Sequence, residues 1–121
     1  MIQTISKTFT GNGTNTIGSN IHGRILAVKA VADSNVTNSW DLTLTGATTG
    51  IPILVDATVS NNATTWWHPR QLATDGADGS AATDAFVEIP IANEAITCVS
   101  ANAGTTGEIT VTVIYNTSSP Y

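Results

Sequence analysis

Hydrophobic and polar residues alternate with a period of two along much of the chain. The pattern is clearest where Trp40, Leu42 and Leu44 interleave with polar residues, and again at 109–115, where every second residue is apolar. Successive side chains of a β-strand point to opposite faces, so this alternation predicts strands with one buried and one solvated face. We therefore expect half-buried strands and no long amphipathic helix.

Other segments have the apolar character of strands. They lie at 2–9, 21–32, 50–59, 64–68, 85–91 and 95–101. Clusters of Gly, Asn, Asp and Ser separate them, as turns between short strands require. About eight strands at this spacing predict an all-β fold, a two-sheet sandwich that is jelly-roll-like. Pro52 and Pro90 lack the N–H of a ladder bond, so we expect both at an edge or a bulge.

The chain of 121 residues is long enough for one β-sandwich domain, which we assign to residues 1–121. Residues 1–10 read as an edge strand or as an arm that reaches a neighbouring molecule, because edge strands offer unpaired backbone groups. Residues 71–85 form the longest stretch without apolar periodicity. We expect that stretch to be a surface loop.

Composition and charge exclude several classes of function. The net charge is −5 with only 4 Lys and Arg residues, too few to neutralise a row of phosphates, so nucleic acid is not an expected partner. No apolar run is long enough to span a bilayer, and the first residues lack the apolar core of a signal peptide. We expect synthesis in a cytoplasm and no membrane partner. Cys98 is the single cysteine, which rules out an intrachain disulfide and suggests a small core side chain.

The sequence gives little basis for catalysis, metal binding or a cofactor. His22 and His68 have no nucleophile or carboxylate at a recognisable spacing, although folding alone can assemble a catalytic triad. Asp75, Asp78 and Asp84 supply oxygen ligands of the kind that calcium prefers, but their spacing does not match a calcium-binding loop. We therefore expect no enzyme, no metal and no cofactor, and a solvated acidic loop is favoured over a calcium site.

The adjacent pair Trp66 and Trp67 is the most informative local feature. On a strand one ring faces the core and the other faces solvent, which leaves roughly 1.5 to 3 kcal/mol of burial unused. Since Trp and Arg are enriched at binding hot spots, we expect the outward ring, with His68 and Arg70 and helped by Arg24, to form an interface. The alternative is a bulge or loop that turns both rings inward.

Several motifs together resemble a layout found in small structural proteins of tailed bacteriophages. The motifs are HGRILAVK at 22–29, DLTLTGATTGIPIL at 41–54, WWHPR at 66–70, IPIANEAIT at 89–97 and GEITVTVIY at 107–115. They cover most of the chain and are typical of β-structure rather than of an active site. Where the layout has a basic residue after Asn-Glu, this chain has Ala95 and Thr97.

The resemblance implies a component of the virion, and within it a capsid decoration or cement protein. Such a protein would sit on the outer capsid surface, commonly as a homotrimer, and join neighbouring copies of the major capsid protein. Three alternatives stay open at this point: a tail or baseplate component, a tail-tube or head–tail connector that forms rings of another symmetry, and a carbohydrate-binding adhesion module with exposed aromatic rings.

Overall fold

The computed structural model describes residues 1–74 and 81–117. These residues form eight β-strands and no helix. The strands are β1 (Ile2–Thr10), β2 (Gly13–Ala32), β3 (Trp40–Gly46), β4 (Pro52–Val59), β5 (Thr64–Trp67), β6 (Arg70–Thr74), β7 (Ala81–Ala101) and β8 (Glu108–Asn116). The predicted all-β fold is thereby confirmed.

The eight strands are antiparallel and linked by pairing in the order β1-β8-β2-β7-β3-β4, with β5 added to β2 and β6 added to β7. The long strands β2 and β7 change partners along their length. The first half of β2 pairs with β7, and its residues 24–32 pair with β8. Residues 96–101 of β7 pair with β3, and residues 86–88 pair with β6. Each long strand therefore pairs with different strands in its two halves.

Bulges in the long strands let the sheet fold over itself. The β2–β7 register shifts between Ile17 and Ile21, where Gly18 and Asn20 have φ angles of 64° and 51°. In β7, Asn93 has a φ of 54°. Across the fold, a Cβ on Gly18 would lie 2.5 Å from Cδ1 of Ile5 in β1. The β1–β8 layer thus packs over the first half of β2, which makes the fold a β-sandwich.

A single hydrophobic core fills the space between the layers. Its largest fully buried side chains come from β2, β3, β4, β7, β8 and the β2–β3 connection, and they are Trp40, Ile17, Ile21, Ile25, Leu42, Leu44, Ile96, Ile109, Val28, Val36, Val59 and Val111. Cys98 lies in the same core, and its burial raises the pKa of its thiol to about 12. The prediction that Cys98 is a core side chain is confirmed.

The segment 71–85 differs from the predicted surface loop. Its first part belongs to β6, and its last part, from Ala81, belongs to β7. Residues 75–80 lie outside the described part of the chain. Arg70 pairs with Glu88 and Leu72 with Phe86 in a two-stranded ribbon. Backbone hydrogen bonds alone can pair two such strands, so β6 does not need apolar periodicity.

Residues 2–10 form the edge strand that the sequence predicted, paired without interruption to β8. Pro52 is the first residue of β4, the strand at the other end of the sheet order. At Pro90, β7 pairs with β2 only, since its pairing with β6 stops at Glu88 and its pairing with β3 starts at Ile96. Both prolines therefore lie where no ladder bond is required, as predicted.

Candidate interaction surface

The two adjacent tryptophans lie on β5, which pairs antiparallel with β2. Trp67 is opposite Val28, is half-buried and packs against the core, whereas Trp66 is opposite Lys29 and is 50% exposed. The predicted alternation is confirmed, and the alternative in which both rings turn inward is not observed. Strand pairing thus identifies Trp66 as the outward ring, a choice that the sequence alone left open.

Lys29 completes the environment of the outward ring. Its Nζ lies 5.5 Å from the centroid of the Trp66 ring, within the range of a cation–π interaction. Sequence analysis missed this residue, because Lys29 and Trp66 are far apart in the chain and meet only through the β2–β5 register. The sequence showed the alternating pattern of each strand, but it did not show that the two strands pair with each other.

The segment after Trp67 turns the chain from β5 into β6. His68 is exposed, whereas Pro69 is buried. The Arg70 side chain bends back over β2, where its Nη1 donates to the carbonyl oxygen of Leu26 at 3.2 Å and to that of Pro69 at 2.7 Å. These two bonds fix the guanidinium close to β2, so Arg70 is an ordered cation near Lys29.

Arg24 is also exposed and lies further back along β2, opposite Pro90 of β7. It lines an open groove of about 240 Å³ together with Gln71, Val87, Glu88 and Pro90. Since Gln71 directly follows Arg70, the groove borders the segment that carries Trp66 and His68. The structure therefore brings Arg24 into the same region as the other predicted interface residues, and the interface role itself stays a prediction.

We call Arg24, Lys29, Trp66, His68 and Arg70 the cationic surface. The register on β8 shows that Arg24 and Lys29 share one face, because they lie opposite residues 116 and 112, which alternate in phase along that strand. Three of the chain's 4 basic residues are therefore collected here, in a protein of net charge −5.

Exposed apolar side chains lie beside this surface. Phe86 is 64% exposed and Val87 is 42% exposed, and both belong to the part of β7 that pairs with β6 in the ribbon. Because the two residues are consecutive in a strand, they point to opposite faces of the ribbon. The sequence predicted a strand here but gave no sign that neither face would be covered.

The outer face of the β1–β8 layer carries pairs of hydroxyl groups. Ser6 and Thr112 are 2.7 Å apart through their hydroxyl oxygens, and Thr8 and Thr110 are 2.9 Å apart. Thr112 is in turn opposite Lys29 on β2. A row of uncharged hydroxyl pairs thus leads across the sheet to the cationic surface.

A second cluster of polar groups surrounds Glu94 of β7 at the β3–β4 turn. The buried carboxylate accepts hydrogen bonds at Oε1 from the backbone N–H groups of Thr48 and Thr49, at 2.7 and 2.9 Å, and at Oε2 from the Thr49 hydroxyl at 2.8 Å. The Thr49 N–H is the main reason why the pKa of Glu94 lies below its ordinary value. A Cβ on Gly46 would lie 2.6 Å from Oε1, so a larger residue there would displace the Glu94 carboxylate. These residues hold the β3–β4 turn in place.

The other residues considered for chemistry are two histidines and three aspartates. His22 is exposed on β2, on a strand position opposite Ala92 and remote in sequence from His68. Within residues 1–74 and 81–117, no three His, Cys, Asp or Glu side chains are grouped to hold a metal ion. Asp75 and Asp78 lie outside the described residues, and the side chain of Asp84 does too. No helix in the described chain is long and apolar enough to cross a membrane.

Comparisons with known proteins add information about the fold. No protein-family model matches the chain, and no curated protein matches it significantly. A chain of the cyanophage Pam1 capsid asymmetric unit is similar at 21% identity and a TM-score of 0.49, covering 94% of this chain and 83% of that chain.

Two further solved structures are similar at a TM-score of 0.51. One comes from Bacillus endospore appendages, described as disulfide-linked pili, with 17% identity over 98% of this chain and 88% of that chain. The other is Pseudomonas aeruginosa AlgX, with 8% identity over 93% of this chain and 26% of that chain. At such identities these two similarities support the β-rich fold and nothing beyond it.

Proposed function

We propose that the protein is a structural component of a bacteriophage virion, and specifically a capsid decoration protein. In this proposal it is made in the host cytoplasm, attaches to the outer capsid surface and joins neighbouring copies of the major capsid protein. It acts by binding and not by catalysis. The motif resemblance supports the virion assignment, and the cationic surface supports a role in binding.

The observation that carries the proposal is the half-exposed Trp66 ring with the Lys29 ammonium 5.5 Å from its centroid. A large ring left in water forgoes burial that a partner protein would provide. Trp and Arg are the residues most enriched at binding hot spots, and here both are held on a rigid sheet. Val87, which is 42% exposed and lines the groove beside Arg24, adds apolar area to the same region of the molecule.

A repeated shell explains why one modest surface per protomer suffices. A standard interface buries about 800 Å² per partner, and only part of the gain appears as affinity after ordering costs. We propose a homotrimer, in which symmetry presents the cationic surface three times. Binding at several contacts then adds avidity without any new kind of contact.

The test is sedimentation with capsids that lack the protein, combined with mass photometry of the free protein. We expect a trimer that sediments with the shells, and we expect Trp66→Ala to weaken this binding. Val55→Ala is the control, because Val55 is 65% exposed but lies on β4, the end strand of the sheet order, which pairs with neither β2 nor β5. A hexameric ring, or a monomer that ignores the shells, would contradict the proposal and favour a tail, connector or unrelated role.

A second candidate is a carbohydrate-binding adhesion module of a tail or baseplate. It is favoured by the exposed Trp66 ring and the hydroxyl pairs on the outer face of the β1–β8 layer. Against it, Lys29 approaches the Trp66 ring and competes for the space where a sugar would stack. Binding on a glycan array that Trp66→Ala abolishes would support this candidate over capsid decoration.

A further inference from the structure

The distribution of charge over the molecule is uneven. The chain has 9 acidic and 4 basic residues, yet three of the basic ones, Arg24, Lys29 and Arg70, belong to the cationic surface. The fourth, Lys7, is exposed on the edge strand β1. An acidic protein thus presents one local region of positive potential, and such regions steer and orient oppositely charged partners.

The three cations form a row along β2. Arg24 and Lys29 lie opposite residues 116 and 112 of β8, four residues apart, which corresponds to roughly 13 Å at the rise of a β-strand. The Arg70 guanidinium is held between them by its bond to the carbonyl oxygen of Leu26. A row of this length matches an extended segment of several residues rather than a single small anion.

Most cationic groups of this row have no acidic partner among the described residues. Among the described residues, neither Arg24 nor Lys29 forms an ion pair. Arg70 uses Nη1 for two carbonyl oxygens, and its other guanidinium nitrogens keep their N–H donors. Among the described residues, Glu88 is the acidic residue that lines the adjoining groove, so the three cations outnumber it there.

We propose that the cationic surface docks an acidic segment of the partner protein, laid along β2 beside Trp66. This inference rests on the proposed function, in which that partner is the capsid shell. Charge complementarity selects an acidic protein surface, and the excess of negative charge on the rest of the molecule disfavours nucleic acid. Trp66 supplies the apolar anchor, and the cations set the orientation.

The experiment compares charge-neutralising variants of the full chain in shell sedimentation at increasing salt. Arg24→Gln and Lys29→Gln should each weaken binding by roughly two- to fivefold at low salt, as expected for exposed ion pairs, and the difference should shrink at high salt. Lys7→Gln is the matched control, since it changes the net charge equally but lies on β1, and it should leave binding unchanged. Unaltered melting temperatures would show that all three variants fold.

A second arm uses an oligo-glutamate peptide, an oligo-lysine peptide and duplex DNA, with tryptophan fluorescence as the readout. We expect binding to oligo-glutamate alone, weakened by Arg24→Gln and Lys29→Gln but not by Lys7→Gln. Shell binding that ignores salt and both variants would overturn the acidic partner and leave capsid decoration intact. Oligo-glutamate binding without shell binding would overturn capsid decoration and support the docking of acidic segments.

Two other results would overturn the acidic partner. Tighter binding to DNA than to oligo-glutamate would identify the surface as a nucleic-acid site. Salt-dependent self-association that Lys29→Gln abolishes, in the absence of shell binding, would identify a second copy of this chain as the occupant.

Discussion

The β3–β4 turn and the segment from Trp66 to Arg70 differ in how their polar groups are used. In the turn, the N–H groups of Thr48 and Thr49 are bound by the buried Glu94 carboxylate. In the segment from Trp66 to Arg70, Trp66 is half-exposed and the side chains of His68 and Arg70 are exposed. Because the polar groups of the turn are bound within the protein, the turn serves to hold the fold together. The exposed side chains of the second segment are available to a partner. The predictions below test this contrast.

The largest effect is expected at Trp40, which begins the strand leading into the turn. Trp40 is completely buried, so Trp40→Ala should lower the free energy of unfolding by about 3–5 kcal/mol. Its indole N–H has no hydrogen-bond partner among the described residues, so Trp40→Phe should cost much less. Urea denaturation measures both values, and labelling of the buried Cys98 thiol gives an independent readout of opening. A loss below about 1 kcal/mol for Trp40→Ala would show that the core tolerates the cavity.

The next effect concerns the carboxylate under the turn. Glu94→Ala should lower the melting temperature clearly, because two backbone N–H groups lose their acceptor. Glu94→Gln keeps one amide oxygen as an acceptor and should be milder. Glu108→Ala, a change of an exposed glutamate on β8, serves as the control and should leave the melting temperature almost unchanged. Equal melting temperatures for Glu94→Ala and Glu108→Ala would refute the architectural role of the turn.

Acid should expose the same contact. The pKa of Glu94 is lowered in the folded protein, so its contribution is fully present above the unfolded-state pKa, near 4.3, and is lost as the pH falls through the lower folded-state value. The stability advantage of the wild type over Glu94→Gln should therefore be constant near neutral pH and should narrow below about pH 4.3. Thermal melts across this range measure it. An advantage that grows on acidification would contradict the assigned direction.

The smallest effect on stability is expected at Trp66. Trp66→Ala should change the free energy of unfolding by no more than about 0.5 kcal/mol, as for other surface positions. Trp67→Ala should cost about 1–3 kcal/mol, because its ring packs against the core. Binding to shells should follow the opposite order and be lost mainly in Trp66→Ala. Equal losses of stability in the two variants would contradict the assignment of Trp66 as the binding anchor and Trp67 as the core ring.

Much of the fold follows from local sequence patterns. Alternation identified β3 and β8 and the opposite directions of Trp66 and Trp67, because each depends on the two-residue period of a single strand. The long strands were divided or shortened in the prediction. Residues such as Asn93, with a positive φ, break the period and resemble a turn, although the backbone continues through them as a bulge.

The candidate surface was predicted only in part. Four of its residues stood out by type, but Lys29 depends on which strand lies beside β5, and that pairing joins distant segments. The pairing of β6 with β7 was missed for a related reason, since β6 carries no alternating apolar pattern and its partner is distant in the prediction. Register between remote strands is a property of the whole fold, and single-segment patterns do not contain it.

The position of β8 has a consequence for how the molecule is made. β8 is the last strand in chain order, yet it lies between β1 and β2 and contributes Ile109, Val111 and Val113 to the core. A nascent polypeptide that has not yet released these residues has two open strand edges and an unsealed interior. Closure of the core must therefore wait until β8 has been synthesised, and ribosome-bound chains are exposed to aggregation during that interval.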